Sequence, residues 1–325
     1  MPFPTGIVDA LDPARLRLLV EVDRQGSISS ASEVCGMSQP SASKQLKTLE
    51  AAVGEKLLER NGRASQLTEA GRIVAGHGAR VLDTLHGLRE ELGALQGAET
   101  GTLALAASTT SGSYVMPAIL QCFAEKHPGV EVDIAIGPSA WVAERVAKRE
   151  FSLGIAGEIE LPPGVRAETF LDDELVGIAA PGRVKLRRGK ASLDELSRWT
   201  LLVREQGSST RAVAERHLVR AGYRPANRWE LDSNEAIKRS VAAGLGIGFV
   251  SKLVVADEVD RGELVSFRLE DTEPIRRSIY LLLADDRDST PAERAFIATL
   301  SDCCAVTIAG CTVDAPRGQA AADPD

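Results

Sequence analysis

Between Ser38 and Val53 the chain reads SQPSASKQLKTLEAAV. Ala42, Leu46, Leu49 and Val53 recur at steps of four, three and four, which gathers them on one face of a helix. The opposite face holds Ser41, Ser43, Lys44, Gln45, Lys47 and Thr48, a set of short hydrogen-bonding groups with two positive charges. Ser38 suits the N-cap, and Pro40 suits the first turn, where no N–H is needed. Two readings fit the outer face: a solvated surface, or one that enters a DNA major groove to meet base edges and phosphates. The flanking residues decide between them.

Upstream, Asp12-Pro13 is a cap followed by an N1 proline, opening a helix with Leu16, Leu19 and Val20 on one side. Gly26 ends it, and Ser27 caps a short helix from Ile28 to Cys35. Gly36 then supplies a tight turn before Ser38, so two short helices form a helix-turn-helix with a polar outer face. Downstream, Glu55–Arg60 reads as a strand, Asn61-Gly62 as a hairpin turn and Ala64–Leu67 as the return strand, making a wing with Arg63 at its tip. Thr68-x-x-Gly71 opens a long helix to about Gln96. Along it Val74, Val81, Leu85, Leu88, Leu92 and Leu95 follow a seven-residue repeat, with Gly78 in the missing position. That seam fits either the same helix of a second subunit or the chain's own next domain. A dimer would present two reading helices to two half-sites.

The order helix, GSISSASEVCGMSQPSASKQLKTLEAAVGEKLLERNGRASQLTEAG, long helix closely resembles the DNA-binding domain of LysR-type transcriptional regulators. The resemblance covers the N-terminal third and rests on the string SQPxxSxQLxxLExxxGxxLLxR. It implies a winged helix-turn-helix, a dimerising linker helix and a C-terminal effector domain. It also implies DNA contacts at Gln39, Pro40, Ser43 and Lys44, with Arg63 in the wing; Ser41 and Lys47 share the same face. Leu58 stands where the family usually has phenylalanine, a core exchange.

The chain has 325 residues, room for two or three domains, and its 44% hydrophobic and 26% charged content is that of a soluble globular protein. Its formal charge of −8 argues against nucleic acid only if spread evenly, yet residues 11–98 balance at 11 Lys/Arg and 11 Asp/Glu. Lys44, Lys47, Lys56, Arg60, Arg63 and Arg72 form a local basic patch there. No apolar run approaches a membrane span, and MPFPTGIVDALD lacks a signal core, which together predict a cytoplasmic protein. The five cysteines form no CxxC pair, so reduced thiols are expected. None lies between Pro181 and Asp302, which disfavours a thiol sensor in the second lobe.

After a short linker at Gly97–Gly101, strand-like runs alternate with helical ones, the pattern of an α/β fold. Leu103–Ala107 is a buried strand followed by Ser108-Thr109-Thr110-Ser111-Gly112, and Val130–Ile136 is a strand followed by Pro138-Ser139. Glu174–Pro181 closes a first lobe. Thr200–Glu205 leads into Gln206-Gly207-Ser208-Ser209-Thr210, where Arg211 opens a helix; Ser233-Asn234 caps another, and the run from Arg277 to Asp286 is the return strand. Hydroxyls beyond strand ends at helix starts favour anions, and Arg211 adds a full charge. REQGSSTR resembles the string of LysR-type members that answer to small anionic effectors, such as regulators of carbon fixation and sulfur metabolism. Gln206 and Ser209 depart from that pattern. The candidate effector contacts are Ser108, Thr109, Thr110, Ser139, Ser208, Thr210 and Arg211, each with a plain alternative as a cap or a surface ion pair; Asn234 is a weaker candidate.

Gly244-x-Gly246-x-Gly248 lies after a helix and before a strand, the reverse of a dinucleotide loop, and reads as a C-cap and tight turn. The four histidines have no metal spacing and no nucleophile–base pair is recognisable, so no catalytic residue, metal or cofactor is expected. The expected organisation is α/β with an N-terminal all-α winged helix-turn-helix (1–67), a linker helix (68–97) and a two-lobed periplasmic-binding-protein-like domain (98–311). Lobe I spans about 101–180 plus 270–311 and lobe II about 181–269; residues 312–325 read as an unstructured tail. The expected function is a regulator of promoter DNA, homodimeric or homotetrameric, that answers to a small anionic metabolite. The competing classes are a solute-binding protein and an α/β enzyme with a fused DNA-binding module.

Overall fold

The computed structural model describes residues 11–61, 64–95, 101–285 and 289–303. The chain divides into two compact units, one running through residue 98 and one built from 99–286 with the residues from 292 onward.

In the first unit, α1 (Pro13–Gln25) starts where the Asp12 carboxylate accepts the N–H groups of Ala14 and Arg15, and it ends at Gly26, φ 68°. Ser27 caps α2 (Ile28–Val34), Gly36 turns the chain at φ 67°, and Ser38 caps α3 (Gln39–Val53). Strands β1 (Leu58–Asn61) and β2 (Ala64–Leu67) pair antiparallel, Leu58 opposite Leu67. The first strand begins later than the sequence suggests. Glu50 accepts the N–H groups of Leu57 and Leu58, at 2.9 and 3.3 Å, and so ties the approach to α3. The Thr68 hydroxyl accepts the Gly71 N–H at 3.0 Å as the long α4 (Glu69–Leu95) begins. Leu18, Leu19, Val22, Ala31, Ala42, Leu46, Leu49 and Leu57 form the core beneath these helices.

Helix α4 divides its apolar residues between two faces. Ala75 and Ala79 are buried against α1, with Val74 and Leu82 beside them, and a Cβ on Gly78 would lie 3.2 Å from Leu16. Gly78 therefore belongs to the internal face, where closeness of backbones requires it, and not to an outward seam. The outward row begins at Val81 and continues through Leu85, Leu88 and Leu92, which are 43–52% exposed.

In the second unit the elements follow as β3 (Gly101–Ser108), a π-helical turn (Ser111–Val115), α5 (Met116–Lys126), β4 (Val130–Gly137), α6 (Ser139–Ala147), β5 (Leu153–Gly157) and β6 (Val165–Ala179). Then come β7 (Lys190–Ala191), α7 (Leu193–Leu196), β8 (Thr200–Arg204), α8 (Ser209–Arg220), β9 (Asn227–Leu231), α9 (Asn234–Ala242) and β10 (Ile247–Ser251). Last are α10 (Lys252–Asp260), β11 (Val265–Leu269), β12 (Ile275–Ala284) and α11 (Pro291–Cys303). The sheet order is β4-β3-β5-β12-β6-β10-β8-β9. Parallel strands β4, β3 and β5 build one lobe, parallel β10, β8 and β9 the other, and the antiparallel pair β6–β12 runs through both.

This pair corrects the expected lobe boundary. Glu174–Pro181 is not a separate strand closing the first lobe: its residues through Ala179 are the end of β6, and Leu175, Val176, Ile178 and Ala179 pack in the second lobe's cores. Within β6, Asp173 is buried in the crossing. Register slips by one residue at Ile279/Tyr280, leaving Phe170 unopposed, a bulge that bends the crossing pair. Gly244 is left-handed at the end of α9, and a Cβ on Gly246 would lie 2.2 Å from the Thr200 carbonyl oxygen, a turn and a close approach rather than a nucleotide loop. No described helix is long and apolar enough to cross a membrane. The expected tail at 312–325 and the wing tip lie outside the described residues.

A Cβ on Gly71 would lie 2.1 Å from the Leu57 carbonyl oxygen, a backbone clash with little room for relief. Gly71→Ala should lower the stability of the first unit by about 1–3 kcal/mol, read as a shifted denaturant midpoint with unchanged slope.

Candidate functional site

The first unit presents one polar helix face. On α3, Gln39, Pro40, Ser41, Lys44, Lys47 and Thr48 are exposed and Ser43 is half-buried, while Ala42, Leu46 and Leu49 are in the core. No carboxylate pairs with Lys44 or Lys47 among the described residues, so both ammonium groups are open to a phosphate. Gln45 is held from α1: Arg15 Nε donates to Gln45 Oε1 at 2.7 Å, and Arg15 is itself paired with Asp12 at 3.0 Å. Thr48 donates to the Lys44 carbonyl and is thereby occupied. The face combines fixed amides, small hydroxyls and mobile charges, the set needed for base edges and backbone phosphates. Arg63 lies outside the described residues.

The second unit brings the hydroxyl-rich loops together. Ser108, Thr109, Thr110, Pro138, Ser139, Arg204, Glu205, Ser208, Ser209, Thr210 and Arg277 line one cleft at the carboxyl ends of β3, β4 and β8. Six of the seven expected contacts are there. The seventh, Arg211, is not: its guanidinium pairs with Glu230 at 2.7 Å and Glu215 at 3.3 Å, and donates to the Arg204 carbonyl at 3.2 Å. As the third residue of α8 it points away from the helix start, so the surface ion-pair reading is the one the geometry favours.

Two arginines that sequence reasoning passed over stand in its place. Arg277 is 5% exposed; its Nε donates to Asp173 Oδ2 at 2.8 Å and its Nη1 to Thr210 Oγ1 at 2.8 Å. Ser251 Oγ donates to the other Asp173 oxygen at 2.7 Å. Arg204 is 2% exposed, chelates Glu205 at 2.7 and 2.8 Å, and donates to Asn234 Oδ1 at 2.5 Å. A period-two signal was available for Arg277, because Ile275, Arg277 and Ile279 share the buried side of β12. An arginine at such a position needs a partner, and that is how it could have been found.

Several bonds span the lobes across the cleft. The Ala140 N–H donates to the Gly207 carbonyl at 3.1 Å, Asn234 Nδ2 donates to Thr110 Oγ1 at 3.4 Å, and Lys238 sits 5.5 Å over the Tyr114 ring. Burial acts to lower the Lys238 pKa, but its bonds to Glu258 and the nearby Tyr114 outweigh this and hold it above the ordinary lysine range. With these bonds made, only about 10 Å³ of free space remains in the cleft.

Two of the helix starts at the cleft differ from the rest. The caps Asp12, Ser27, Ser38, Ser192, Ser233 and Ser251 each accept a backbone N–H through the side chain. At α6 and α8 the cap residues Pro138 and Ser208 make no such bond, whereas the helical run that leads into the π-helical turn is capped by Ser108, whose Oγ accepts the Ser111 N–H at 3.4 Å. Each of these starts is at the cleft, where N–H groups and helix dipoles favour negative charge.

Two family models match the chain: "Bacterial regulatory helix-turn-helix protein, lysR family" over residues 13–72 and "LysR substrate binding domain" over 96–305. The HTH-type transcriptional regulator CbbR of Rhodospirillum rubrum is 32% identical over 286 residues, spanning 88% of this chain and 94% of that protein. The RuBisCO operon transcriptional regulator of Allochromatium vinosum is 31% identical, over 87% and 93% of the two chains. Among solved structures, the regulatory domain of Synechocystis CcmR in complex with 2-PG superposes with TM-score 0.58 at 29% identity, covering 62% of this chain and 97% of that one. These relatives are regulators of transcription, not enzymes or transport proteins, and they fall in the carbon-fixation group that the loop string resembles. The chain belongs to the LysR family of bacterial transcriptional regulators.

Proposed function

We propose that this LysR-type regulator acts in the cytoplasm, holds promoter DNA through Gln39, Pro40, Ser41, Ser43, Lys44, Lys47 and Arg63, and answers to a small oxyanion in the cleft. The observation that carries the effector reading is the pair of helix starts without side-chain caps, α6 and α8, facing one cleft together with the hydroxyls of Ser108, Thr109 and Thr110. Arg204 and Arg277 each already have a carboxylate partner, so neither supplies a free charge. The negative charge of a ligand would be met by N–H dipoles and by the hydroxyls of Ser108, Thr109, Thr110, Ser139, Ser208 and Thr210. A phosphate- or carboxylate-bearing metabolite fits that chemistry, and 2-phosphoglycolate is the first to try, since the CcmR domain is described with it.

The cleft as it stands has room for about one water. An effector therefore has to part the lobes and replace the Ala140–Gly207 bond, so it binds the open arrangement in preference to the closed one. That differential affinity is the source of a response. For assembly, we assign the dimer contact to Val81, Leu85, Leu88 and Leu92 of α4, together with the groove of about 510 Å³ between α1 and α4 lined by Val20, Ala79, Leu82 and Leu85.

Three measurements test this reading. In a thermal-shift titration, 2-phosphoglycolate should raise Tm; Thr210→Val should weaken binding about five- to twentyfold, and Arg211→Ala should leave it within about twofold. Equal loss with both variants would return the charge-trap role to Arg211. Lys44→Ala should flatten the salt dependence of duplex binding by about one unit in log K against log [salt] without changing the effector response. Leu88→Glu with Leu92→Glu should convert dimers to monomers in sedimentation; an unchanged mass would move the interface away from α4.

A further inference from the structure

From residue 99 on the chain is acidic, with 27 Lys/Arg against 34 Asp/Glu. Within it, Arg183, Lys185, Arg187, Arg188 and Lys190 set five cations in eight residues. All five are exposed, while Val184 and Ala191 are buried and Leu186 packs beside them in the second-lobe core. This alternation holds the charges outward.

The segment is a tight hairpin. The N–H of Arg187 donates to the Lys190 carbonyl at 2.8 Å and the N–H of Lys190 to the Arg187 carbonyl at 3.0 Å. The two turn residues, Arg188 and Gly189, have φ of 52° and 75°. A turn with both central residues left-handed takes Asn-Gly most readily, so arginine in the first position carries backbone strain in return for its side chain. The hairpin is also braced: Lys190 lies opposite Arg268 of β11, whose N–H donates to the Gly189 carbonyl at 3.0 Å. These cations stand on a fixed ledge.

Basic side chains elsewhere in the unit are commonly paired, as in Arg166–Glu168, Arg239–Glu235 and Arg268–Glu174. None of the five pairs with a carboxylate among the described residues. The acid that touches the segment, Glu195, accepts the backbone N–H of Lys185 at 3.3 Å instead.

We propose that this ledge is a second DNA-contacting surface, binding the sugar–phosphate backbone of duplex DNA without regard to sequence. The inference rests on the DNA-binding reading of α3, because a chain already held on DNA meets phosphates at a high effective concentration. Unpaired ammonium and guanidinium groups gain there from counterion release. A protein partner is the poorer fit: no large apolar side chain is exposed among the five cations, so the ledge lacks the anchor that protein interfaces rely on.

The test is fluorescence anisotropy of the full chain on a random-sequence duplex of about 60 base pairs over graded KCl. With Lys185, Arg187, Arg188 and Lys190 all changed to glutamine, the slope of log K against log [salt] should fall by about 2–4 units, near 0.9 for each phosphate no longer neutralised. If this variant matches the wild type while Lys44→Ala flattens the slope, the ledge proposal is overturned and the α3 reading stands. If Lys44→Ala has no effect either, the α3 reading itself fails. Arg188→Gly guards against a folding artefact: it relieves the positive φ, so it should hold or raise Tm while lowering the slope by about one unit. A lowered Tm with an unchanged slope would assign Arg188 to the turn and sink the proposal.

Discussion

The second unit depends on one buried ion pair, Arg277 with Asp173, where the two shared strands cross. Both side chains are nearly inaccessible, at 3% and 1% exposure. Taking two charges out of water is costly, and the cost is offset only when the remaining donors and acceptors are also met. Here Ser251 serves the carboxylate and Thr210, with Ser209 at 3.4 Å, serves the guanidinium. Removing one partner of such a pair typically costs about 3–5 kcal/mol, so β6, β12, β10 and the start of α8 are held in register together. The same guanidinium lines the cleft. A ligand that drew Thr210 or Ser209 away from Arg277 would act directly on the strands joining the lobes, which links binding to lobe angle without any intermediate chain of contacts.

How much of this was legible in the sequence follows from how local each feature is. Much of the first unit was readable because its determinants sit within a few residues: Asp12, Ser27 and Ser38 as caps, Gly26 and Gly36 as left-handed stops. The exception is Gly78. A seven-residue spacing cannot tell a seam from a core stripe, since both recur on one helix face, and only the packing of Leu16 against it separates them. In the second unit the hydroxyl loops were readable as helix starts beyond strands, and they do meet in one cleft. What was not readable is which charge joins them. Arg211 stands next to the loop in sequence, but Arg277, 67 residues from Thr210, reaches it in space. Strand β6 was cut short for the same reason: the partner of Asp173 is Arg277, 104 residues further on.

The uncapped helix starts show how one residue type is used in two ways. Serine caps α2, α3, α7, α9 and α10 by accepting a backbone N–H, which removes the donor from further use. Ser208 precedes α8 in the same position and makes no such bond. Ser139 instead accepts the Gly157 N–H at 3.3 Å, and Ser108 and Ser111 share a hydrogen bond at 2.9 Å. Ser108 also accepts the Ser111 N–H at 3.4 Å, so the starts left without a side-chain cap at the cleft are those of α6 and α8. An uncapped start costs roughly 0.5–2 kcal/mol, so two in one place amount to a standing preference for an acceptor from outside.

That preference also accounts for two buried arginines of the proposed effector cleft being already neutralised. A free guanidinium in a cleft with about 10 Å³ of space would carry an unmet charge whenever the effector was absent. Pairing Arg204 with Glu205 and Arg277 with Asp173 keeps the empty cleft stable. The attraction for an anion is then carried by partial charges, which are tolerable unmet and add up when a ligand arrives. The Ala140 N–H and the Gly207 carbonyl, at 3.1 Å, meanwhile tie the two lobes together across that cleft.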